Sequence, residues 1–299
     1  MSLEFVTAIT TGLGAMFGWG LADFFAKKTI DKVGSVVSLV WAHVFGVIVL
    51  ALAVCFQVFI LHTSFSLPNG LEDWDLLLFF GALQAVVYLL VYQGFGKGKL
   101  SVLNPVFASY SGLAALLSIV LLGESITSYV VLTLSVIFLG IIFLSIEKDS
   151  TKSKKFRFIN TPGLKEVALA SVLAAFWTIS WDHFIGGKDW LVYALFMYAI
   201  MALTAFIVAK VQQINLSISL KSDVWKFLFL IGACEVVAYA AISLGFSTTS
   251  FTSIIALLSG AFSLPTLLFA RLFLKERLNE FQIAGTIIVI LGIIFLSLR

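Results

Sequence analysis

A seven-residue segment near the middle of the chain recurs near its end, and this duplication limits the possible folds more than any other feature. Leu139–Ser145 reads LGIIFLS, and Leu291–Ser297 repeats it half a chain length later. Similar spacings relate Glu124 to Glu276, Gly81–Ala82 to Gly232–Ala233, Tyr88 to Tyr239 and Asp23 to Asp182. Loop insertions produce the small shifts among these spacings. We therefore interpret the chain as two copies of one unit.

The amino-acid composition then restricts the class of protein. The 299 residues are 61% hydrophobic and 12% charged, whereas soluble domains have about 25% charged residues. The mean hydropathy is +1.08. A soluble fold of this composition would lack the polar surface to cover its apolar residues, so a membrane protein with many spans is expected. Cys55 and Cys234 lie in apolar runs and indicate neither a disulfide framework nor a zinc site.

Ten apolar runs are long enough to cross a bilayer, which takes about 20 residues in a helix. The runs are continuous and show no alternation of polar and apolar residues, which favours helices over barrel strands. The sequence therefore predicts an all-α integral membrane protein with ten transmembrane helices. These spans are 6–26, 35–61, 75–95, 100–122, 128–146, 164–185, 189–209, 224–246, 251–273 and 280–298.

The ten spans divide equally between the two copies. Residues 1–146 form the first five-helix repeat and residues 164–299 the second, with a basic linker over 147–163. Because five is odd, the second copy enters the membrane from the opposite side, and the two repeats are inverted. Inverted repeats recur in secondary transporters, whose substrate sites lie near the midplane between the repeats.

The basic residues predict the orientation. All but two of the 19 lysines and arginines fall on one side of the ten spans, and the exceptions are Lys188 and Arg299. The positive-inside rule places the larger group in the cytoplasm. The linker is then cytoplasmic, both termini face outside, and the expected location is the inner (plasma) membrane.

Polar residues occupy matching positions in spans three and eight. Gln84, Tyr88 and Tyr92 follow at intervals of four, which places them on one helix face. The equivalent positions in span eight include Glu235 and Tyr239. A charged residue at a span centre costs about 2.5–3.5 kcal/mol, so Glu235 needs a partner, water or a proton. We expect substrate binding by these five residues, and the alternative for Glu235 is a carboxyl that serves packing only.

Spans one and six form a second pair. Trp19 and Trp177 lie deeper than an interfacial aromatic belt, which favours lining of a substrate cavity. Asp23 lies near the basic side and Asp182 near the opposite end, so these two and Trp181 are predicted to be gates. The alternative is a set of interfacial aromatics and helix-end charges.

Three further features have a structural interpretation as well as a functional one. His43 in span two is expected to be a satisfied polar group, and the scattered histidines predict neither a metal site nor a cofactor. Pro105 and Pro265 lie within spans four and nine and predict kinked helices beside a cavity. Serines and glycines nearby, such as Ser259–Gly260, would equally serve close helix packing.

Short motifs add a family resemblance. Span one contains Gly18-Trp19-Gly20 and Asp23-Phe24-Phe25, and Gly123-Glu124 precedes the last helix of the first repeat. With ten spans in two inverted repeats, the whole chain resembles the drug/metabolite transporter superfamily, specifically its EamA-type proteins. The second repeat departs from the Gly-Glu motif, since residues 274–278 read LKERL.

This resemblance implies export or exchange of small metabolites, often amino acids, while some members carry sugars, nucleotide sugars or drugs. Small four-span relatives use a membrane glutamate in their first helix. Span 6–26 has no glutamate, so the resemblance assigns no proton-coupling role to Glu235.

The sequence also restricts the class of function. The sequence has no nucleotide-binding loop and no HExxH or GxSxG motif, so neither ATP drive nor membrane-enzyme chemistry is supported. Aromatic residues and Glu235 suit amino acids or related amines through charge pairing and cation–π contacts. We expect a secondary transporter working by alternating access as a monomer in lipid, with a small-molecule substrate, a proton as coupling ion and no nucleic-acid partner. The alternative is an uptake carrier or facilitator for sugars or other neutral solutes, which Gln84 and Asn104 would suit.

Overall fold

The computed structural model describes residues 2–124, 126–144, 146, 162–219, 221–273 and 279–297, and no β-strand occurs in these ranges. Residues 147–161, most of the predicted linker, lie outside them. The helices of the described residues are α1 (Leu3–Val33), α2 (Ser35–Phe59), α3 (Gly70–Lys97), α4 (Leu100–Ala108), α5 (Tyr110–Leu121), α6 (Ser128–Leu144), α7 (Leu164–Ile185), α8 (Trp190–Val211), α9 (Val224–Thr248), α10 (Thr252–Gly260), α11 (Ser263–Phe273) and α12 (Glu280–Ser297).

These helices form ten crossings, because α4 with α5 and α10 with α11 each make one broken crossing. Eight crossings are long and apolar enough to span a membrane, while α6 and α12 are shorter apolar helices. The chain is therefore a multi-pass, all-helical membrane protein, as predicted. Its architecture is two inverted five-span repeats, one of α1 to α6 and one of α7 to α12.

The two repeats correspond closely in their second halves. α4 begins at Leu100 and ends at Ala108, and α10 begins and ends at the equivalent positions, Thr252 and Gly260. The starts of α6 and α12 are separated by the same interval. The spacing of the duplicated LGIIFLS segment is thus the spacing of the structural elements themselves.

The repeats are not two separate bodies, because their helices alternate in space. Each of the first three helices packs more extensively against helices of the second repeat than against its neighbours in its own repeat. α1 lies along α9 and α10, α2 lies along α8 and α9, and α3 lies along α7 and α8. The interior of the protein is therefore the interface between the repeats.

α1 is longer than the predicted span 6–26. The side chain of Ser2 accepts a hydrogen bond from the Phe5 amide, and the helix ends only at Gly34, whose φ of 86° favours glycine. The last turns carry lysines that the hydropathy pattern assigned to a loop. Lys28 Nζ lies 4.7 Å from the centroid of the Phe24 ring, so its stem covers apolar surface while its charge stays near the membrane border.

Both predicted kinks exist, but neither break falls at its proline. α4 ends at Ala108 with Ser109 as its C-cap, beyond Pro105, whereas α11 begins at Ser263, just before Pro265. Pro105 removes a hydrogen bond inside α4, while Pro265 occupies a first turn, where a missing N–H costs little. The breaks themselves are equivalent in the two repeats, since Ala261, the C-cap of α10, is the repeat counterpart of Ser109, the C-cap of α4.

Glycines set the closest helix contacts. A Cβ on Gly140 in α6 would lie 3.1 Å from the Gly285 carbonyl oxygen in α12, and a Cβ on Gly285 would lie 2.8 Å from the Gly140 carbonyl. Each glycine thus lies against the backbone of the other helix. Gly140 of the repeated segment therefore permits the last helices of the two repeats to approach closely.

Gly18 plays the same part between α1 and α9, which explains the first glycine of the Gly-Trp-Gly motif. Its Cβ would lie 2.6 Å from the Cys234 carbonyl oxygen and 2.9 Å from the Ala238 amide nitrogen. We expect Gly18→Ala to lower the thermal unfolding midpoint, because overpacking against backbone costs about 1–3 kcal/mol. Gly14→Ala is the control on the same helix, since its Cβ would meet only the Ala241 Cβ, at 3.3 Å. Equal midpoints for the two variants would contradict this assignment.

Ion pairs hold α3 against the second repeat at both of its ends. Lys188 Nζ lies 2.6 Å from Asp73 Oδ1, and Tyr193 also donates a hydrogen bond to Asp73. At the other end, Lys97 Nζ lies 2.5 Å from Glu166 Oε1. A motion that moves either end of α3 away from the second repeat would break one of these pairs.

Candidate functional site

A small cavity lies between the repeats and is lined by residues that the sequence singled out. Its volume is about 10 Å³, enough for about one water molecule. The lining residues come from α1, α3, α4, α5 and α7 and from the α10–α11 break. They are Trp19, Asp23, Gln84, Tyr88, Phe107, Tyr110, Ala174, Trp177, Thr178 and Phe262. In this structure the centre is closed, and no solute larger than water fits.

Four of the seven predicted binding residues line this cavity, namely Trp19, Gln84, Tyr88 and Trp177. A fifth, Tyr239, lies directly beside them. Gln84 Nε2 donates a hydrogen bond of 2.7 Å to the Tyr239 hydroxyl. The Tyr239 ring also meets the Trp19 and Trp177 rings edge-on, with centroids 5.6 and 6.0 Å apart. The first and second repeats thus share one aromatic and amide cluster.

Glu235 and Tyr92, the other two predicted binding residues, do not line the cavity but lie in an adjacent buried cluster, which contacts the first through the Tyr88–Tyr92 and Tyr198–Tyr239 ring pairs. Tyr92 Oη donates to Glu235 Oε1 at 3.1 Å, and the Tyr198 hydroxyl donates to Oε2. The Glu235 side chain has no exposed surface. These hydrogen bonds hold the carboxyl between α3, α8 and α9 and away from the lining of the cavity.

His43 completes the Glu235 cluster. The sequence predicts a satisfied polar group, but only one of its two ring nitrogens has a hydrogen-bond partner among the described residues. Its Nδ1 lies 2.9 Å from the Leu39 carbonyl oxygen, and because a carbonyl only accepts, Nδ1 carries the hydrogen. Nε2 is buried without a hydrogen-bond partner among the described residues and lies 3.8 Å from Glu235 Oε2. The imidazole also stacks on Tyr198, with centroids 4.8 Å apart. Nε2 therefore faces the carboxyl at a distance just beyond a direct hydrogen bond.

The predicted gate residues occupy two different places. Asp23 lines the central cavity, and its Oδ2 accepts a hydrogen bond of 2.6 Å from Asn104 Nδ2 in α4. Asp182 is half-buried at the far end of α7 and is hydrogen-bonded to Thr252 of α10. Each aspartate thus meets the first segment of a broken crossing, as repeat symmetry requires.

A larger polar cavity, which we call the vestibule, lies at the end of the protein where α5, α7 and α9 terminate. We call this end of the protein the vestibule end. The volume of the vestibule is about 420 Å³. Its lining comes from the last turns of those helices, the loops that follow and the start of α10. The lining residues are Leu122, Gly123, Glu124, Asp182, His183, Phe246, Thr249, Ser250 and Thr252.

Trp181 lies next to residues of both cavities. It is fully buried, and its ring stacks on Trp177 of the central cavity with centroids 5.5 Å apart. Its Nε1 donates to Ser243 Oγ at 3.2 Å. The next residue, Asp182, faces the vestibule. A change in the Trp181 rotamer would therefore alter the side-chain packing at both cavities.

Glu124 of the Gly-Glu motif has a structural role at the vestibule. Its carboxylate accepts hydrogen bonds from the Ser253 amide at 2.8 Å and the Ser253 hydroxyl at 2.6 Å. Ser253 lies in the first turn of α10, where a carboxylate satisfies unpaired amides and complements the helix dipole. The motif thus fixes the start of a broken helix of the other repeat. The repeat partner Glu276 lies outside the described residues.

Within the described residues, no group of three or more His, Cys, Asp or Glu side chains could hold a metal ion. The chemistry that these residues support is binding and proton exchange. The central cavity offers aromatic faces, one carboxyl and an amide, and the adjacent cluster offers a carboxyl beside an imidazole.

Comparisons with known proteins agree with this architecture. A crystal structure described only as that of a protein superimposes with a TM-score of 0.73, covering 98% of this chain and 97% of its own at 15% identity. At that identity the likeness concerns the fold. None of the curated proteins matches the sequence. The sequence profile of the EamA-like transporter family matches twice, over residues 6–146 and 162–298. The two matches cover nearly the whole chain, one for each repeat, and the chain belongs to the EamA-like transporter family.

Proposed function

We propose that the protein is a secondary transporter that exports or exchanges amino acids or related amines by alternating access. The observation that carries this proposal is the convergence of Trp19, Gln84 and Tyr88 from one repeat with Trp177 from the other on a single cavity. A site at the inter-repeat interface changes its access whenever the repeats move against each other. The closed centre beneath an open vestibule fits one intermediate of such a cycle.

Trp181 and the vestibule residue Asp182 are proposed to act as the gate. Trp181 covers the cavity from the side of Asp182, and opening requires its stacking on Trp177 to be lost. Asp182 and Thr252 join α7 to α10, so their hydrogen bond belongs to the closed arrangement. The vestibule end is proposed to face outside, with the lysine-rich loops in the cytoplasm, both termini outside and the protein in the inner (plasma) membrane as a monomer.

A proton is the proposed coupling ion, held by Glu235 and His43. A carboxylate in this position would be a charge in a low-dielectric interior that two tyrosine hydroxyls stabilise only in part, which favours the uptake of a proton by the Glu235–His43 pair. α2 and α3 come from one repeat and α8 and α9 from the other. Relative motion of the repeats would therefore change the distance between His43 and Glu235 and so the affinity for the proton.

A carrier or facilitator for sugars or other neutral solutes is the second candidate. Gln84 Oε1 and Asn104 Oδ1 are buried acceptors with no hydrogen-bond partner in the described part of the chain. Hydroxyl groups of a sugar could donate to both, and sugar rings pack well on aromatic faces. An amine meets the same acceptors and in addition the carboxyl of Asp23, which favours the first candidate.

Counterflow in proteoliposomes tests the proposal. Liposomes loaded with an unlabelled amino acid, amine or sugar are diluted into the same labelled solute at low concentration. For a carrier we expect internal amino acid or amine to accelerate entry of label and to cause transient accumulation. Entry of label at a rate that does not depend on the internal solute would indicate a channel. Faster entry of label with internal sugar alone would indicate the second candidate. Entry equal to that of protein-free liposomes for the entire panel would contradict transport of these classes.

A further inference from the structure

We infer that the central cavity binds the ammonium group of an amine that carries no carboxylate, with Asp23 as its anionic anchor. This inference rests on the proposed transport function and narrows its substrate class. Among the residues that line the cavity, Asp23 is the one with an ionisable carboxyl. Glu235, the acidic residue that the sequence pattern favoured for this part, is tied to Tyr92 and Tyr198 elsewhere.

The unpaired atoms around Asp23 match an ammonium group. Asn104 uses its Nδ2 on Asp23, which leaves its Oδ1 without a partner, and Gln84 uses its Nε2 on Tyr239, which leaves its Oε1 without one in the described chain. Both side chains are more than nine-tenths buried. Buried acceptors are rarely left unsatisfied in native structures. An ammonium ion in the cavity could donate to the Asp23 carboxylate and to Gln84 Oε1, since both residues line the cavity, while Asn104 holds Asp23 from outside this lining.

The rest of the wall suits the body of such a ligand. Trp19, Tyr88 and Trp177 present aromatic rings to the cavity, and Phe107 and Phe262 add apolar surface. Aromatic faces attract cations, most strongly where water is excluded. Since the closed cavity holds about 10 Å³, only the ammonium group itself could enter without a movement of these rings.

A carboxylate would be poorly accommodated in the same place. No lysine, arginine or histidine is among the lining residues of the described chain. The Trp19 indole nitrogen is a buried donor with no partner in the described residues, but it is neutral. A zwitterionic amino acid would bring its carboxylate close to Asp23, and like charges at close range oppose binding. Because the lining of the described chain lacks a basic side chain, the cavity favours simple amines over zwitterionic amino acids.

Four ligands that share one phenylethyl body and differ in their polar groups test this inference: phenethylamine, phenylalanine, 3-phenylpropionate and 2-phenylethanol. The purified full-length protein is unfolded thermally with increasing amounts of each. We expect phenethylamine to raise the unfolding midpoint progressively, because a ligand that binds the native state stabilises it by mass action. The other three should leave the midpoint near that of the ligand-free protein.

Asp23→Asn provides the second arm, since asparagine keeps the shape of the side chain and can still accept from Asn104. The apparent Kd for phenethylamine should rise by at least about tenfold, as expected for loss of a charge-assisted hydrogen bond. Asp31→Asn is the matched control, because Asp31 is exposed and pairs with Lys27. This variant should bind like the wild type.

The outcomes separate this inference from the transport proposal. Phenylalanine stabilising as well as phenethylamine would overturn the inference, while transport of amino acids would stand. Equal stabilisation by 2-phenylethanol would overturn it as well, because charge would then not be recognised. No shift with any of the four would overturn the inference too, and counterflow would then judge the transport function separately.

Discussion

Glutamine in place of Glu235 is expected to abolish proton-coupled transport while leaving the protein folded. The amide oxygen of glutamine can accept a hydrogen bond from Tyr198 or Tyr92, so the cluster keeps its shape. The group loses the ability to release a proton to His43 Nε2, which lies 3.8 Å from the carboxyl. The titratable groups around Glu235 in the described chain come from five helices: Asp23 from α1, His43 from α2, Tyr88 and Tyr92 from α3, Tyr198 from α8, and Cys234 and Tyr239 from its own helix α9.

The measurement is solute exchange in proteoliposomes across a range of pH and with an imposed pH gradient. In Glu235→Gln we expect transport to be lost or to become independent of pH, and His43→Gln should show the same loss of pH dependence. Glu72→Gln, at an exposed position in the first turn of α3, is the control and should behave as the wild type. Unchanged rates with an unchanged pH profile in Glu235→Gln would show that this carboxyl is structural.

Alanine in place of Trp177 is expected to cause the largest loss of stability of any change in the central site. The indole is almost fully buried, stacks on Trp181 and donates from Nε1 to the Phe80 carbonyl oxygen at 3.1 Å. Truncation of a buried tryptophan to alanine costs about 3–5 kcal/mol, because a cavity remains where the ring was. The Phe80 carbonyl also loses its side-chain donor.

Thermal unfolding with and without added indole measures this effect. The midpoint of Trp177→Ala should fall well below that of the wild type, and indole should partly restore it by filling the vacated space. Trp74→Ala removes a tryptophan that is 40% exposed on the outer surface, so its midpoint should fall less and should not respond to indole. A smaller loss in Trp177→Ala than in Trp74→Ala would show that the Trp177 ring contributes little to the packing of the site.

Periodicity and duplication were sufficient to predict the ten crossings and their inversion, because a bilayer forces each apolar run into a helix. They were not sufficient for the helix ends. The hydropathy pattern ended span one at residue 26, but α1 continues to Val33. Asp23 therefore lies about 15 Å from the end of its helix at about 1.5 Å per residue. That depth, invisible in a hydropathy profile, places Asp23 on the central cavity.

Repeat equivalence identified most of the central cluster, since Gln84, Tyr88 and Tyr239 were selected by matching position and do lie together. The same reasoning placed Glu235 with them, and the structure shows why position alone was insufficient. Tyr198 from α8 and His43 from α2 draw the carboxyl toward a neighbouring cluster. Neither residue belongs to a repeated motif. A single histidine within a span carries no pattern that could reveal its partner.

The alternation of helices from the two repeats has a consequence for how the protein is made. Ribosomes add about 5–20 residues per second, so the first five spans reach the membrane many seconds before their packing partners exist. During that interval Gln84 lacks Tyr239, and His43 lacks Glu235 and the Tyr198 ring, although polar groups are costly in lipid. The early helices are therefore inserted before these polar groups can pair with their final partners. Two halves synthesised as separate polypeptides in one membrane should therefore find each other, because each half completes its packing only on the other.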